Sequence, residues 1–234
     1  GRLRSMSEGD PSASGKARWE DPGIIAEFAA REPDLRLVDL LDAAADPSTL
    51  RVLDLGCAAG RNTDLLARRG CSVVAIDLSA PMVEATRRRL APILGEDEAS
   101  RRVFRGSMTD LRAIADGSFD LVVALGIYHQ AADLDEWTRA IGETARVLAP
   151  GGRILLAQFG PGTDLTGEHG GRVSGEDHVF VIREGSPAVL FDAAELDRRM
   201  GELGFEPLAP TETVERPHEP AGRRVTINAL YRKR

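Results

Sequence analysis

Val52-Leu53-Asp54-Leu55-Gly56-Cys57-Ala58-Ala59-Gly60-Arg61-Asn62-Thr63 is the stretch that decides the fold. Val52, Leu53 and Leu55 form a short apolar run, Gly56 and Gly60 permit a tight turn beside a ligand, and Asn62 and Thr63 lead into an amphipathic helix. The stretch therefore reads as strand, glycine loop and helix start, a junction able to hold a nucleotide-like ligand. Its pattern, Asp-x-Gly-x-x-x-Gly, is not the Gly-x-Gly-x-x-Gly expected of a nicotinamide-dependent oxidoreductase. A second run, Ser72 to Ile76, ends on Asp77, 23 positions after Asp54. A carboxylate there can accept hydrogen bonds from both hydroxyls of a ribose; the plainer alternative is a turn aspartate.

Outward from this junction, strand and helix signals alternate. Strands are expected at 51–55, 72–77, 102–105, 119–124 and 153–159, with helices between them. That alternation builds a parallel sheet covered on both faces through right-handed crossovers, an α/β doubly wound architecture. Ser79, followed by Pro81, predicts a capped helix start, and Pro150-Gly151-Gly152 predicts the stop of the helix carrying Trp137, Ile141 and Ala145. Two helical patterns, 24–30 and 35–41, precede the first strand within an N-terminal helical region at 19–46. Segment 160–190 is glycine-rich with little helical periodicity. It is expected to be an inserted, lid-like excursion with a hairpin of 177–183 and 188–191 around Glu184-Gly185-Ser186-Pro187. A helix over 193–203 and two β-rich segments, 207–214 and 225–231, close the chain.

The 234 residues, 42% of them hydrophobic, suffice for one α/β domain, expected over 19–234. Residues 1–18 are polar and are expected to be a disordered tail, with 1–5, ahead of Met6, a cloning remnant. A net charge of −7 disfavours sequence-independent binding to nucleic acid. Arg87, Arg88, Arg89, Arg101 and Arg102 form either a local basic patch or a solvated helical face. Two cysteines, Cys57 and Cys71, make neither a disulfide framework nor a Cys-x-x-Cys pair, which suits a reducing cytoplasm. Apolar stretches such as Leu121–Ile127 fall short of the ~20 residues that span a bilayer. His169 and His178, with Glu168 and Asp177, lack the tight spacing of metal ligands, so no metal is expected.

The quoted loop resembles that of the class I S-adenosylmethionine-dependent methyltransferases, whose usual form is Asp-x-Gly-x-Gly-x-Gly. Three further stretches, Val73-Val74-Ala75-Ile76-Asp77-Leu78-Ser79, Phe119-Asp120-Leu121-Val122-Val123-Ala124 and Arg146-Val147-Leu148-Ala149-Pro150-Gly151-Gly152, resemble later motifs of that family in order. The resemblance implies a Rossmann-like, seven-stranded, mostly parallel sheet with an antiparallel C-terminal edge pair. It also implies methyl transfer from S-adenosylmethionine, by in-line displacement, to an oxygen or nitrogen of a small-molecule acceptor. Two departures stand out: Ala58 replaces the central glycine, and Ser107 stands where an acid is common. They keep a noncatalytic ligand-binding or protein-interaction role open, and an RNA or protein acceptor remains a further alternative. The Asn/Asp-Pro-Pro-aromatic sequence used on exocyclic amines is absent.

On this resemblance, Asp54, Gly56, Cys57 and Gly60 lie along the methionine part of the cofactor, and Asp77 holds its ribose. Leu78 and Met82 flank adenine, Ser107 and Met108 meet its edge, and Ala124 and Leu125 complete the cofactor site. Asp54 also reads as a carboxylate capping the loop's own N–H groups, and Met82 and Met108 as ordinary core. Asp110 caps a turn or contacts adenine's amine. Arg61 pairs with the methionine carboxylate or is simply solvated. For catalysis, His129, after the fourth strand, is the best-placed base, with Tyr128 lining the acceptor pocket. The alternative for His129 is a structural hydrogen bond, and for Tyr128 burial. Trp19, Glu20, His169 and His178 lie in segments able to close over that pocket.

Overall fold

The computed structural model describes residues 17–168, 171, 175, 177–183 and 186–234. The expected remnant at 1–5, the tail up to residue 16, and His169 lie outside the described residues. Residues 17–19 are helical.

Five strands run parallel, as expected: β1 (Arg51–Leu55), β2 (Ser72–Asp77), β3 (Val103–Arg105), β4 (Phe119–Leu125) and β5 (Leu148–Phe159). They alternate with α1 (Pro22–Ala30) and α2 (Leu35–Asp42) before β1, α3 (Arg61–Arg68), α4 (Ala80–Leu94), α5 (Glu96–Arg102) and α6 (Leu134–Val147). After β5 come a separate antiparallel hairpin, β6 (Val179–Arg183) and β7 (Ser186–Val189), then α7 (Ala193–Glu202), β8 (Phe205–Pro207), β9 (Glu212–Pro217) and β10 (Arg223–Lys233).

The main sheet has eight strands rather than seven, in the order β3-β2-β1-β4-β5-β10-β8, with β9 also on β10. The segment expected as one strand over 207–214 is two. Tyr231–Lys233 pair with β8 and Arg223–Asn228 with β9, so both short strands share one edge of β10. Pro210, which has no N–H to give a ladder, lies in the break. At β5 the strand starts at Leu148 rather than Arg153, with an irregularity opposite Phe119 and Leu121. It is reached directly from the end of α6.

Each central strand buries both faces, as a parallel sheet sandwiched by helices requires. Leu53, Val122 and Ala124 face Trp137 and Ile141 of α6 and Leu196 and Met200 of α7. Val52, Leu121 and Val123 face Leu37 and Leu41 of α2, Leu66 of α3 and Leu90 of α4. Two guanidinium groups tie the layers together. Arg51 grips the Asp120 carboxylate across β1 and β4, and Arg146 joins Glu143 and Asp116 to the carbonyls of Leu111 and Ile114.

Strand order reverses between β1 and β4: the chain builds outward through β2 and β3, then crosses back to β4. Such a switch point leaves a crevice outside the carboxyl ends of the strands. No helix of the described residues is long and apolar enough to cross a membrane.

Candidate active site

The crevice is a cavity of about 190 Å³ at the ends of β1, β2 and β4. Its floor is backbone held at close range. The N–H groups of Gly56 and Cys57 both donate to the carbonyl of Ile76, at 2.8 and 3.0 Å, which folds the glycine loop onto the end of β2. Gly56 has φ +77°, and an added Cβ would stand 2.5 Å from Ile127 Cδ1. Gly60 has φ +84°, and a Cβ there would meet Thr86 Oγ1 at 2.8 Å. Both positions thus need glycine for conformation and for space.

Asp77 organises the crevice. Its Oδ2 accepts the Ala58 N–H at 2.9 Å and its Oδ1 the Ser79 N–H at 2.9 Å, so one carboxylate fixes the loop and the start of α4. An ionised carboxylate offers about four lone-pair positions, which leaves acceptor capacity for a ligand beside these two bonds. Burial pushes its pKa above the ordinary value, opposed by those backbone bonds. Leu78, next along, turns 56% of its surface to solvent and offers an apolar platform at the crevice. Ser107 and Met108 line the crevice too, with the Ser107 hydroxyl 2.9 Å from that of Thr109.

Residues 52–152 match the sequence model of the methyltransferase domain. Over that segment, which runs from β1 into β5, the chain is similar to the S-adenosylmethionine-dependent methyltransferases. The chain is 36% identical over 153 residues to a ubiquinone biosynthesis O-methyltransferase of Xanthomonas oryzae, a match covering 65% of this chain and 60% of that protein. It is 38% identical over 130 residues to a magnesium-protoporphyrin O-methyltransferase of Rhodobacter capsulatus, covering 53% and 55%. A 33% match over 147 residues to a ribosomal RNA small subunit methyltransferase C of Chromohalobacter salexigens covers 62% of this chain and 42% of that one. The chain thus spans about half the length of these relatives. The fold is shared across its length with a magnesium protoporphyrin IX methyltransferase from Synechocystis, solved with bound S-adenosylmethionine, at TM-score 0.63 and 17% identity, covering 98% of this chain and all of the other.

Not every motif residue reaches the crevice. Gly56, Asp77, Leu78, Ser107, Met108 and Leu125 line it, whereas Asp54, Cys57, Gly60, Met82 and Ala124 do not. Asp54 is buried and accepts the Thr63 hydroxyl at 2.6 Å, closing the loop onto the first turn of α3 from beneath. Burial raises its pKa to about 6. Met82, whose N–H is capped by the Ser79 hydroxyl at 3.3 Å, is core. Cys57 is a buried thiol raised by desolvation, 3.7 Å from Thr86 Oγ1. Arg61 donates to the Glu32 carbonyl at 2.8 Å and ties the helices before β1 to α3. Asp110 grips Arg112 at 2.6 Å, which holds its carboxyl down at about 2.

Both proposed catalytic side chains are buried away from the crevice. Tyr128 is fully buried, its hydroxyl 2.7 Å from that of Thr144 on α6, and burial raises the phenol well above its ordinary pKa. His129 stacks on Phe159 with ring centroids 4.4 Å apart, and its Nδ1 accepts the Phe159 N–H at 3.4 Å. Burial and the Arg183 charge push its pKa down to about 3. With Nδ1 occupied, Nε2 carries the hydrogen and has no lone pair for an acceptor's proton. A structural role follows. Because an unfolded histidine titrates near 6.5, the unfolded state binds the extra proton first, and the contribution of neutral His129 is lost as pH falls from about 6.5 toward 3. Asp54, with a raised pKa, acts oppositely between its ordinary value of 3.8 and about 6, which makes the wild-type profile a sum of both. The thermal midpoint of wild type minus that of His129→Gln is therefore expected to shrink on acidification below about pH 6.5. A difference independent of pH would exclude this assignment.

Residues that the sequence did not single out complete the crevice: Phe28 of α1, Ile127, and Glu136 of α6. Trp19 joins them, its ring T-shaped to Phe28 at 5.4 Å and its carbonyl accepting the Ser79 hydroxyl at 2.7 Å. The excursion at 160–190 contributes none of its described residues to the lining. Its hairpin packs on the 128–130 turn through β7, and its apolar side sits with Phe159 and Leu165. His178 lies 3.5 Å from Asp177 and 3.7 Å from Glu195; among the described residues no three His, Cys, Asp or Glu side chains gather as a metal site. Four members of the suspected basic patch are held: Arg87 by Glu84, Arg101 and Arg102 by Glu98, and Arg89 by the Ala29 carbonyl.

Ala58, at the position where the family has glycine, adopts φ +48°. An alanine in left-handed conformation is strained, so Ala58→Gly is expected to stabilise the fold by about 0.5–1 kcal/mol. Chemical denaturation measures this; a loss of stability would mean that the Ala58 methyl packs usefully.

Proposed function

We propose that this protein transfers a methyl group from S-adenosylmethionine to an oxygen or nitrogen of a small-molecule acceptor bound beside Trp19, Phe28, Gln130 and Glu136. The observation that carries the reading is Asp77, a half-buried carboxylate at the end of β2 with acceptor capacity to spare beside a loop whose glycines admit close approach. The residues fit the cofactor. Asp77 would take its ribose hydroxyls, Leu78 and Met108 its adenine faces, and the loop at Gly56 and Ala58 its methionine part.

The cofactor supplies a methyl group already activated on a sulfonium, so the protein's task is alignment and exclusion of water. Leu55, Ile127 and Phe28 give the crevice apolar walls, and Glu136 is the carboxylate on its acceptor side. One Glu136 oxygen accepts the Ala132 N–H at 2.6 Å, which fixes the group at the N-terminal turn of α6. It is placed to orient, and to take a proton from, an acceptor hydroxyl or amine. Small-molecule relatives such as the ubiquinone and magnesium-protoporphyrin enzymes support this class of acceptor. The ion-paired arginines of α4 and α5 offer little to an RNA.

Calorimetric titration with S-adenosylmethionine, S-adenosylhomocysteine and NADH tests the proposal. Saturable binding of the two sulfur ligands without NADH is expected. Silence toward both would refute it, and NADH binding would replace it with an oxidoreductase reading.

A further inference from the structure

We propose that β9 is a docking edge for a second copy of this chain, with Glu212–Pro217 pairing antiparallel to the same segment of the other copy about a twofold axis at Val214. Such pairing is independent of the chemistry in the crevice.

At the margins of the main sheet, β3 and β8 are three residues long, whereas β9 has six and pairs only with β10. All of β9 is exposed except Val214, which is half-buried. Which backbone groups face outward follows from the register. The carbonyls of Val225 and Arg223 accept the N–H groups of Gly160 and Asp164 on the β5 side. Alternate residues Arg224, Thr226 and Asn228 therefore bond toward β9, to their partners Arg216, Val214 and Glu212. Thr213 and Glu215 are left with N–H and C=O groups pointing away from β10, a row of donors and acceptors that another strand can complete.

Exposed edges are ordinarily blunted by charge. On β9 the charges have opposite signs and symmetric places: Glu212 and Arg216 flank Val214 on one face of the strand. At roughly 3.3 Å per residue they stand about 13 Å apart, too far to pair with each other. Among the described residues neither has an ion-pair partner, and Arg216 sits opposite Arg224, a like charge, in the ladder. A second β9 laid antiparallel with Val214 opposite Val214 sets Glu212 of each copy opposite Arg216 of the other. Thr213 of each then exchanges both backbone bonds with Glu215 of the other. A shift of two residues is the smallest that keeps outward groups facing outward groups, and in either direction it puts Val214 opposite a charged side chain. In the favoured register the Glu215 carboxylates of the two copies lie diagonally, and Arg223, 3.8 Å from Glu215 within each chain, offsets their repulsion. The contact is self-complementary and consumes the edge that forms it, so assembly stops at two copies.

Sedimentation equilibrium of the full chain at low ionic strength, from about 1 to 200 μM, is the test. A short strand pair is a small interface, so a Kd on the order of tens of micromolar is expected. The average mass should rise toward twice the 25.2 kDa of one chain and fall as salt is added. Glu212→Arg and Arg216→Glu, each of which sets like charges opposite one another, are expected to weaken association at least about tenfold. An equimolar mixture of the two, and the double variant carrying both changes, restore opposite charges at both pairs and should associate within about threefold of wild type. Thr213→Pro removes an outward N–H that the β10 ladder does not use, so it should weaken association while the chain still unfolds cooperatively. A wild type that stays monomeric at about 200 μM, or that associates no better than the folded single variants, would overturn the proposal. So would single variants whose mixture fails to recover association.

Discussion

Replacing Asp77 by alanine is expected to weaken S-adenosylhomocysteine binding by at least about 100-fold, the consequence of losing two hydrogen bonds to a charged acceptor at roughly 1.5–3 kcal/mol each. The same change frees the Ala58 and Ser79 N–H groups, so part of the effect is structural. Asp77→Asn separates the two. It keeps one acceptor oxygen and the shape of the side chain but presents an NH₂ toward one of the two N–H donors, so it costs stability as well as charge. If the carboxylate serves the ligand, affinity falls in both variants by more than their loss of thermal stability accounts for, and saturating ligand stabilises wild type far more than either variant. Equal stabilisation of all three by the ligand would reduce Asp77 to a brace for the loop.

The readable part of this molecule is the part whose residue types are dictated by local backbone. Gly56, Gly60 and Asp77 announce themselves because a left-handed turn and a strand-end carboxylate admit few substitutes. Met82 shows why the rest is harder. It neighbours the motif in sequence, yet the helix start at Ser79 turns it into the core, a matter of direction that spacing alone does not specify. Tyr128 follows the fourth strand as an acceptor-site residue would, but the hydroxyl of Thr144, 16 positions later, offers a buried partner. His129 is withdrawn by Phe159, on another strand. Phe28 and Glu136 sit in helices whose sequences show only an amphipathic stripe, so their arrival in the crevice depends on how α1 and α6 pack. The split of the expected strand into β8 and β9 likewise depends on what β10 pairs with at each end, although Pro210 was a local signal for the break.

Gly56→Ala is expected to destabilise the fold by about 2–4 kcal/mol, combining roughly 1 kcal/mol for an alanine held in left-handed conformation with the cost of overpacking. The overpacking has one source. The new Cβ would lie 2.5 Å from Cδ1 and 3.2 Å from Cβ of Ile127, and Ile127 can yield only by moving the crevice wall that it forms. Ligand affinity should therefore fall along with stability, because both the crevice wall and the loop that approaches the ligand are disturbed. A double-mutant cycle with Ile127→Ala isolates the clash from the backbone strain. Removing the isoleucine branch relieves the steric part and leaves the φ of +77° untouched, so the double variant should be more stable than the sum of the single effects by about 1–2 kcal/mol while staying below Ile127→Ala alone. Strict additivity would mean that the loop shifts bodily to accept the methyl group. In that case the strain of the left-handed turn, rather than contact with Ile127, would be the reason glycine is required at the end of β1.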